Sequence, residues 1–414
     1  MTLPARDVPT KENTGVIQVT TQGETVSVQD VAIGEVWLCA GQSNMRYTLG
    51  RREVKNDLAS PLIFPDELAS AETPEIRLLN VSPGAGSTPA DRRWARCTPK
   101  SASGFSAIGI FFAQFLRHTQ DVPIGLIDLG KGGQSLRAFL PVNTVATDPA
   151  MARLRSDDPD KRAGVVYEND VRWLAPFGLR GVLWYQGESD ITRAGVYGEM
   201  LRAMIKIWRE DFENPGLPFL IVQLPGYAGA LGDAAGQDQQ AKWRPLFLEA
   251  QQKLAASGFG VELVPAVDLG EENEIHPRGK KAVAERLALV ARSKVYGEKI
   301  ICDGPVLRSA RRDGDTMVLI FDRADGSLVA KNRSLEDFWA AGPDGKFAPA
   351  VATIELPDRI RVSSRGEVHQ VRYGWTGFFR PSLYNEAGYP SGPFRTDITS
   401  PAQPKTSRLP SNSP

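Results

Sequence analysis

Ser43 ends the apolar run EVWLCAGQSNM and stands between two side-chain amides, Gln42 and Asn44. A hydroxyl in this position has two uses. It can cap the turn that follows, or it can attack a carbonyl once a base takes its proton. Three histidines are available as that base. His118 closes an amphipathic helical segment, where a cation suits the helix dipole. His369 lies in a β-patterned C-terminal region. His276 sits in DLGEENEIHPRGK, after the last apolar run of strand length. Asp268, Glu271, Glu272 and Glu274 surround it, and any of them can orient a ring or stabilise an imidazolium. Taken singly, Ser43 reads as a cap and His276 as a solvated loop residue; together they read as nucleophile and base.

Attack on an ester needs donors aimed at the developing oxyanion, each worth about 3 kcal/mol. Two stretches offer them. In GKGGQS (130–135), Gly132 and Gly133 let backbone N–H groups approach a ligand. In WYQGESD (184–190), Gln186 brings an amide. Gly125 to Lys131 matches GxxxxGK by count, but Gly132 stands where a Ser or Thr must hold Mg²⁺, and the first half reads as a strand. A phosphate loop is therefore not expected. Three histidines and three scattered cysteines, with no HExxH or CxxC, argue against a metal site and against a disulfide framework.

These groups must be carried by strand ends. The runs 35–40, 76–81, 124–130, 181–187, 219–224 and 262–269 are apolar and of strand length. Helical patterns fall between them at 107–119, 195–212, 244–257 and after Pro277. Continuous apolar strands separated by helices predict a parallel sheet covered on both faces. In such sheets ligands bind beyond the carboxyl ends of the strands, where Ser43, 130–135, 186–190 and His276 all lie. Residues 15–38 alternate as a hairpin leading into a further strand, with a turn at QGE. Alternation returns after Gly297.

The chain has 414 residues, 49 Lys plus Arg and 49 Asp plus Glu. This balance gives no reason to expect a nucleic-acid or membrane partner. No run of about 18 apolar residues marks a membrane helix, and MTLPARDVPTKENTG lacks the apolar core of a signal peptide.

GEVWLCAGQSNM, GVLWYQGESD and IHPRGKKAVAERLAL resemble, in order, the signature blocks of sialate O-acetylesterase-like carbohydrate esterases of the SGNH-hydrolase superfamily. VPIGLIDLGKGG, FSAIGIFFAQFL, GLPFLIVQL and the C-terminal VRYGWTG and LYNEAGYPSGPFRTD extend the resemblance over about 30–397. It implies a flavodoxin-like three-layer α/β/α esterase fold and a metal-free serine esterase without cofactor. Ser43 falls on its nucleophile and His276 on its base. The Ser43 N–H, Gly133 and Gln186 fall on its oxyanion region, with Gln42 and Glu188 as braces. Where the superfamily has Asp three residues before the histidine, this chain has Asn273. The third member is Glu274, a more distant acid such as Asp268, or no acid at all. Arg46 replaces an acidic residue frequent in relatives and is expected to alter the pocket's charge.

The expected organisation is an N-terminal β-segment (1–33) packed on the C-terminal β-domain or the sheet edge. An esterase domain (34–298), a C-terminal β-domain (299–397) and a disordered tail (398–414) follow. The expected substrate is an O-acetylated carbohydrate, sialic acid or plant polysaccharide, with a secreted or periplasmic location implied by the resemblance. The rival expectations are a broad GDSL-like esterase for small acyl groups and a catalytically silent carbohydrate-binding protein. Trp37, Trp173, Trp184 and Tyr185 are candidate sugar platforms, with core packing as the alternative.

Overall fold

The computed structural model describes residues 15–54, 57–81, 92–147, 163–175, 177–332 and 334–397. The first two strands, β1 (Gly15–Thr21) and β2 (Glu24–Val31), form an antiparallel hairpin. Gln22 and Gly23 both take positive φ at its two-residue turn, which matches the right-handed twist of the flanking strands.

Among the described residues, seven strands make the central sheet: β3 (Glu35–Gly41), β4 (Thr73–Asn80), β5 (Trp94–Cys97), β6 (Ile124–Gly130), β7 (Gly181–Tyr185), β8 (Phe219–Val222) and β9 (Val261–Val264). Their spatial order is β5-β4-β6-β3-β7-β8-β9. The pairings are parallel except at one edge, where β5 runs antiparallel to β4. That edge corrects the expectation of a wholly parallel sheet. WARC is only four residues long and mostly exposed, so it leaves no apolar run to read.

The middle strands are buried on both faces, as their unbroken apolar sequences require. Alternation along β3 and β7 sorts the helices onto two sides. Trp37 meets Phe112 of the helix Ala107–Arg117 at 5.0 Å, and Cys39 lies against Gly109 of the same helix. Ala40 is paired in register with Trp184, which packs edge-on to Trp208 of the helix Ala194–Asp211. Helix Lys280–Lys294 packs beside Ala107–Arg117, and helix Ala234–Ala256 beside Ala194–Asp211. The result is three layers, α/β/α.

Helix Ala234–Ala256 begins ten residues before the position expected from its apolar spacing. Its first ten residues, AAGQDQQAKW, bury no side chain; Asp233 caps them by accepting from Gly236 N–H at 3.0 Å. Helix Lys280–Lys294 starts three residues after Pro277. No helix among the described residues is long and apolar enough to cross a membrane.

Among the described residues, ten short strands between Val306 and Arg395 form three antiparallel sheets. Phe321, Phe338, Tyr373 and Phe394 pack together as their aromatic core. Arg395 ties this region to the long helix through both carboxylate oxygens of Glu249, each at 3.0 Å. The N-terminal hairpin is joined to the sheet edge by Asp30, which accepts from Arg77 of β4 and Arg96 of β5. Its strands remain exposed, so the expected packing is reduced to this ionic tether. Residues 1–14 and the expected disordered tail lie outside the described residues.

β3 ends in Gly41, whose φ is +138°. A methyl there would stand 2.1 Å from the Tyr185 carbonyl oxygen. The approach is what lets Gln42 N–H reach that oxygen at 3.0 Å. Gly41→Ala is therefore expected to destabilise the chain by about 3 kcal/mol or more. Gly132→Ala, with open space around the new methyl, should stay within about 0.5 kcal/mol. Urea midpoints of the two variants check this, and equal midpoints would refute the constraint at Gly41.

Candidate active site

The turn after β3 carries Gln42, Ser43 and Asn44. Gln42 and Asn44 are buried, whereas Ser43 is partly open to solvent. Arg46 N–H donates to the Gln42 carbonyl at 2.9 Å and closes the turn. The Gln42 side-chain oxygen accepts from Gly187 and Ser189 N–H groups at 3.3 and 3.4 Å. It thereby fastens the serine turn to the turn after β7.

His276 comes from the loop between β9 and the last helix, and its Nε2 lies 2.8 Å from Ser43 Oγ. The pair is thus in range for proton transfer. On the other side of the ring, Glu274 Oε1 is 3.5 Å from Nδ1. The same oxygen accepts from the His276 backbone N–H at 2.7 Å. Glu274 therefore holds the His276 backbone more closely than the ring, and its own side chain is half exposed. Asp268, the more distant acid, has a cation of its own. It is taken by Arg286 in a bidentate pair at 2.6 and 2.8 Å. Asn273 turns away to donate to the Gly229 carbonyl at 2.9 Å.

The turn after β6 lies next to the serine turn because Gly41 and Gly130 are paired and Lys131 N–H donates to the Gly41 carbonyl at 2.8 Å. Gly133 takes φ +69° and is exposed. Among the described residues, neither the Ser43 nor the Gly133 N–H has a protein acceptor. Gln186 does something different from the expected oxyanion contact. It is fully buried, and its amide hydrogens go to the Gln134 carbonyl at 3.3 Å and to Asp190 Oδ2 at 2.5 Å. Asp190 also accepts from Leu136 N–H at 2.8 Å. Gln186 is a brace for the turn that carries Gly133. Lys131 pairs with Asp170 at 2.8 Å, and residues 124–130 are a strand, so the phosphate-loop count has no structural counterpart.

Several charges are buried beneath the turn. Glu188 Oε1 accepts from Asn44 Nδ2, and burial pushes this carboxyl upward. Lys280 donates to Asn44 Oδ1 at 2.6 Å. Desolvation pulls its ammonium down to about 7 against the opposing pull of Glu188. Arg244, also buried, is lowered to about 10 by the same cause. Arg46 faces Asp128 of β6 at 2.9 Å. Burial raises Asp128, and the guanidinium opposes that rise. Sequence reasoning singled out neither Lys280, Arg244 nor Asp190. Their partners are distant in the chain, and no local spacing announces them.

Trp37, Trp184 and Tyr185 are fully buried and belong to the core. Trp173 packs on Phe177 and under Arg92. Among the described residues, no three His, Cys, Asp or Glu side chains gather to hold a metal ion. Cys39, Cys97 and Cys302 are buried free thiols.

Residues 33–291 match the family of carbohydrate esterases described as sialic acid-specific acetylesterases. The sialate O-acetylesterase of Pongo abelii is 29% identical over 91% of this chain and 77% of its own length. The human sialate O-acetylesterase is 28% identical over the same shares. A carbohydrate acetylesterase from Xanthomonas citri, known from its crystal structure, is 32% identical with a TM-score of 0.80. That match covers 93% of this chain and 86% of the other. The family match spans more than half of the sequence and takes in the serine turn, the 130–135 turn, the 186–190 turn and the histidine loop. The chain therefore belongs to the sialic acid-specific acetylesterase family of carbohydrate esterases and is a carboxylic ester hydrolase.

Proposed function

We propose that this chain removes O-acetyl groups from carbohydrates as a metal-free serine esterase, through an acetyl–Ser43 intermediate. The observation that carries the reading is the 2.8 Å contact between Ser43 Oγ and His276 Nε2 at the carboxyl end of the central strand. In the first half-reaction Oγ bonds to the acetyl carbon while its proton passes to Nε2. The carbonyl electrons move onto oxygen, where the Ser43 and Gly133 N–H groups receive the charge. Collapse breaks the bond to the sugar oxygen, which takes the proton from Nε2. In the second half, water gives its proton to Nε2 and its oxygen to the acetyl carbon; the bond to Oγ then breaks, Oγ takes the proton back from Nε2, and acetic acid leaves and ionises. Glu274 orients His276 chiefly through the backbone. Support for a sugar ester as substrate comes from the relatives named sialate O-acetylesterase and from the Xanthomonas citri carbohydrate acetylesterase.

Ser43→Ala and His276→Ala should each lower acetate release from p-nitrophenyl acetate by about a thousandfold or more, with far-UV circular dichroism unchanged and wild-type rates indifferent to EDTA. Substantial turnover by Ser43→Ala, or its loss in EDTA, would overturn the mechanism. Acetylated sialoside and acetylated xylan, offered in parallel, rank the substrates; binding of either without acetate release would favour a silent binding protein.

Glu274→Gln separates a bracing carboxylate from a full triad member. A long contact to a half-exposed carboxylate is expected to be worth about tenfold in kcat. Removal of a true triad acid costs about ten-thousandfold. A loss of the larger size would make Glu274 the third member.

A further inference from the structure

The reading of Ser43 and His276 as nucleophile and base leaves one cluster unused. Asn44 is fully buried beside the nucleophile and makes three side-chain hydrogen bonds. Its nitrogen donates to Glu188 and, at 3.0 Å, to the carbonyl of Ile275. Its oxygen accepts from Lys280 at 2.6 Å. An ammonium can only donate and a carboxylate can only accept, so these two partners fix which end of the amide points where. Ser43 precedes Asn44, and His276 follows Ile275. One side chain therefore spans the nucleophile turn and the base loop.

We infer that Lys280 is a positioning residue for this reaction: acting through Asn44, it holds the Ile275 carbonyl, and with it His276, against the Ser43 turn. Without the lysine the Asn44 oxygen loses its donor, and only the acceptors Glu188 and Ile275 hold the nitrogen in place. The alternative rotamer would set two oxygens against each other. Lys280 is 1% exposed. Its ammonium lies 4.8 Å from the Tyr47 ring and 5.7 Å from the Tyr185 ring, both within cation–π range. The charges that act on it are Glu188 from the β7 turn, Arg51 from the segment after the serine, and Glu271 and Glu274 from the base loop. Burying an ammonium this fully is unfavourable, and a methionine of similar length would fill the space without that penalty. The charge is therefore placed for geometry rather than for stability.

The test measures kcat and KM for p-nitrophenyl acetate in Lys280→Met, Asn44→Ala and the double variant, each with a thermal melt, and with Ser43→Ala alongside. Displacing a reacting group by about 1 Å can cost about a hundredfold. Lys280→Met should lower kcat by about 10- to 100-fold, with KM within about threefold and a cooperative melt. The double variant should be no worse than Asn44→Ala alone, because one residue acts through the other. Wild-type kcat in Lys280→Met, or losses that multiply in the double variant, would overturn the inference. Should Lys280→Met not fold, Lys280→Leu, which likewise offers no donor, carries the same comparison. Full turnover by Ser43→Ala would instead sink the esterase reading, so the two failures are separable.

Discussion

The hydrogen bond between Ser43 and His276 joins residues 233 positions apart, and the rest of the molecule is arranged so that it can form. The serine side is set by the sheet. β3 lies between β6 and β7, so the turns that leave all three strands open at one end. At Gly41 the Tyr185 carbonyl comes so near that only a residue without Cβ can stand there. The histidine side has no such rigid support. Its loop follows the edge strand β9 and has little regular structure of its own, so its position is imported from neighbours.

Those neighbours are mostly buried polar groups. Asn44 holds the Ile275 carbonyl, and Asn273 holds the Gly229 carbonyl. Gln42 binds the serine turn to residues 187–189, and Gln186 with Asp190 shapes the turn that carries Gly133. Asn44, Gln42 and Gln186 each use both their donor and their acceptor capacity. A buried amide satisfied in this way tolerates one orientation only, which is how polar networks specify geometry. The buried carboxyls Asp128, Glu188 and Asp190 are all pushed upward by desolvation and are met by Arg46, Lys280 with Arg244, and Arg193 respectively. Such pairs are poor sources of stability, and their concentration beneath one turn points to a positional role.

The sheet was legible in sequence because its middle strands are covered on both faces and must be continuously apolar. The antiparallel edge strand β5 was not, being four mostly exposed residues. Nor was the start of helix Ala234–Ala256, which owes its first turns to a cap and not to an apolar stripe. Ser43 and His276 were legible as types at strand ends, and the glycines at 132–133 as a turn that invites close approach. What the residue types concealed was division of labour. Gln186 looks like a donor for substrate until its two hydrogens are counted. Asp268 looks like a partner for His276 until Arg286 is found on it. Arg46 looks like a change of pocket charge and also answers a buried aspartate on the next strand. None of these pairings has a sequence period, because each crosses between elements.

The same logic extends to the C-terminal β-region. Tyr227 N–H donates to the Gly377 carbonyl, and Ala228 N–H donates to the Glu272 carbonyl, both at 2.8 Å. Asn273 then closes back on Gly229. Residues 226–229 thus form a relay, one side bonded to the C-terminal region and the other to the loop that bears His276. Gly226 packs against Phe378, and a methyl on Gly377 would meet the Tyr227 carbonyl at 2.9 Å, so the relay has no slack at either contact. His276, which lacks an aspartate three residues upstream, gains its definition here from backbone contacts. Those contacts run from Gly377 through Tyr227 and Ala228 to Glu272. On this view the β-region is part of what keeps the imidazole facing the serine, and its attachment through Arg395 and Glu249 keeps that support in register with the sheet.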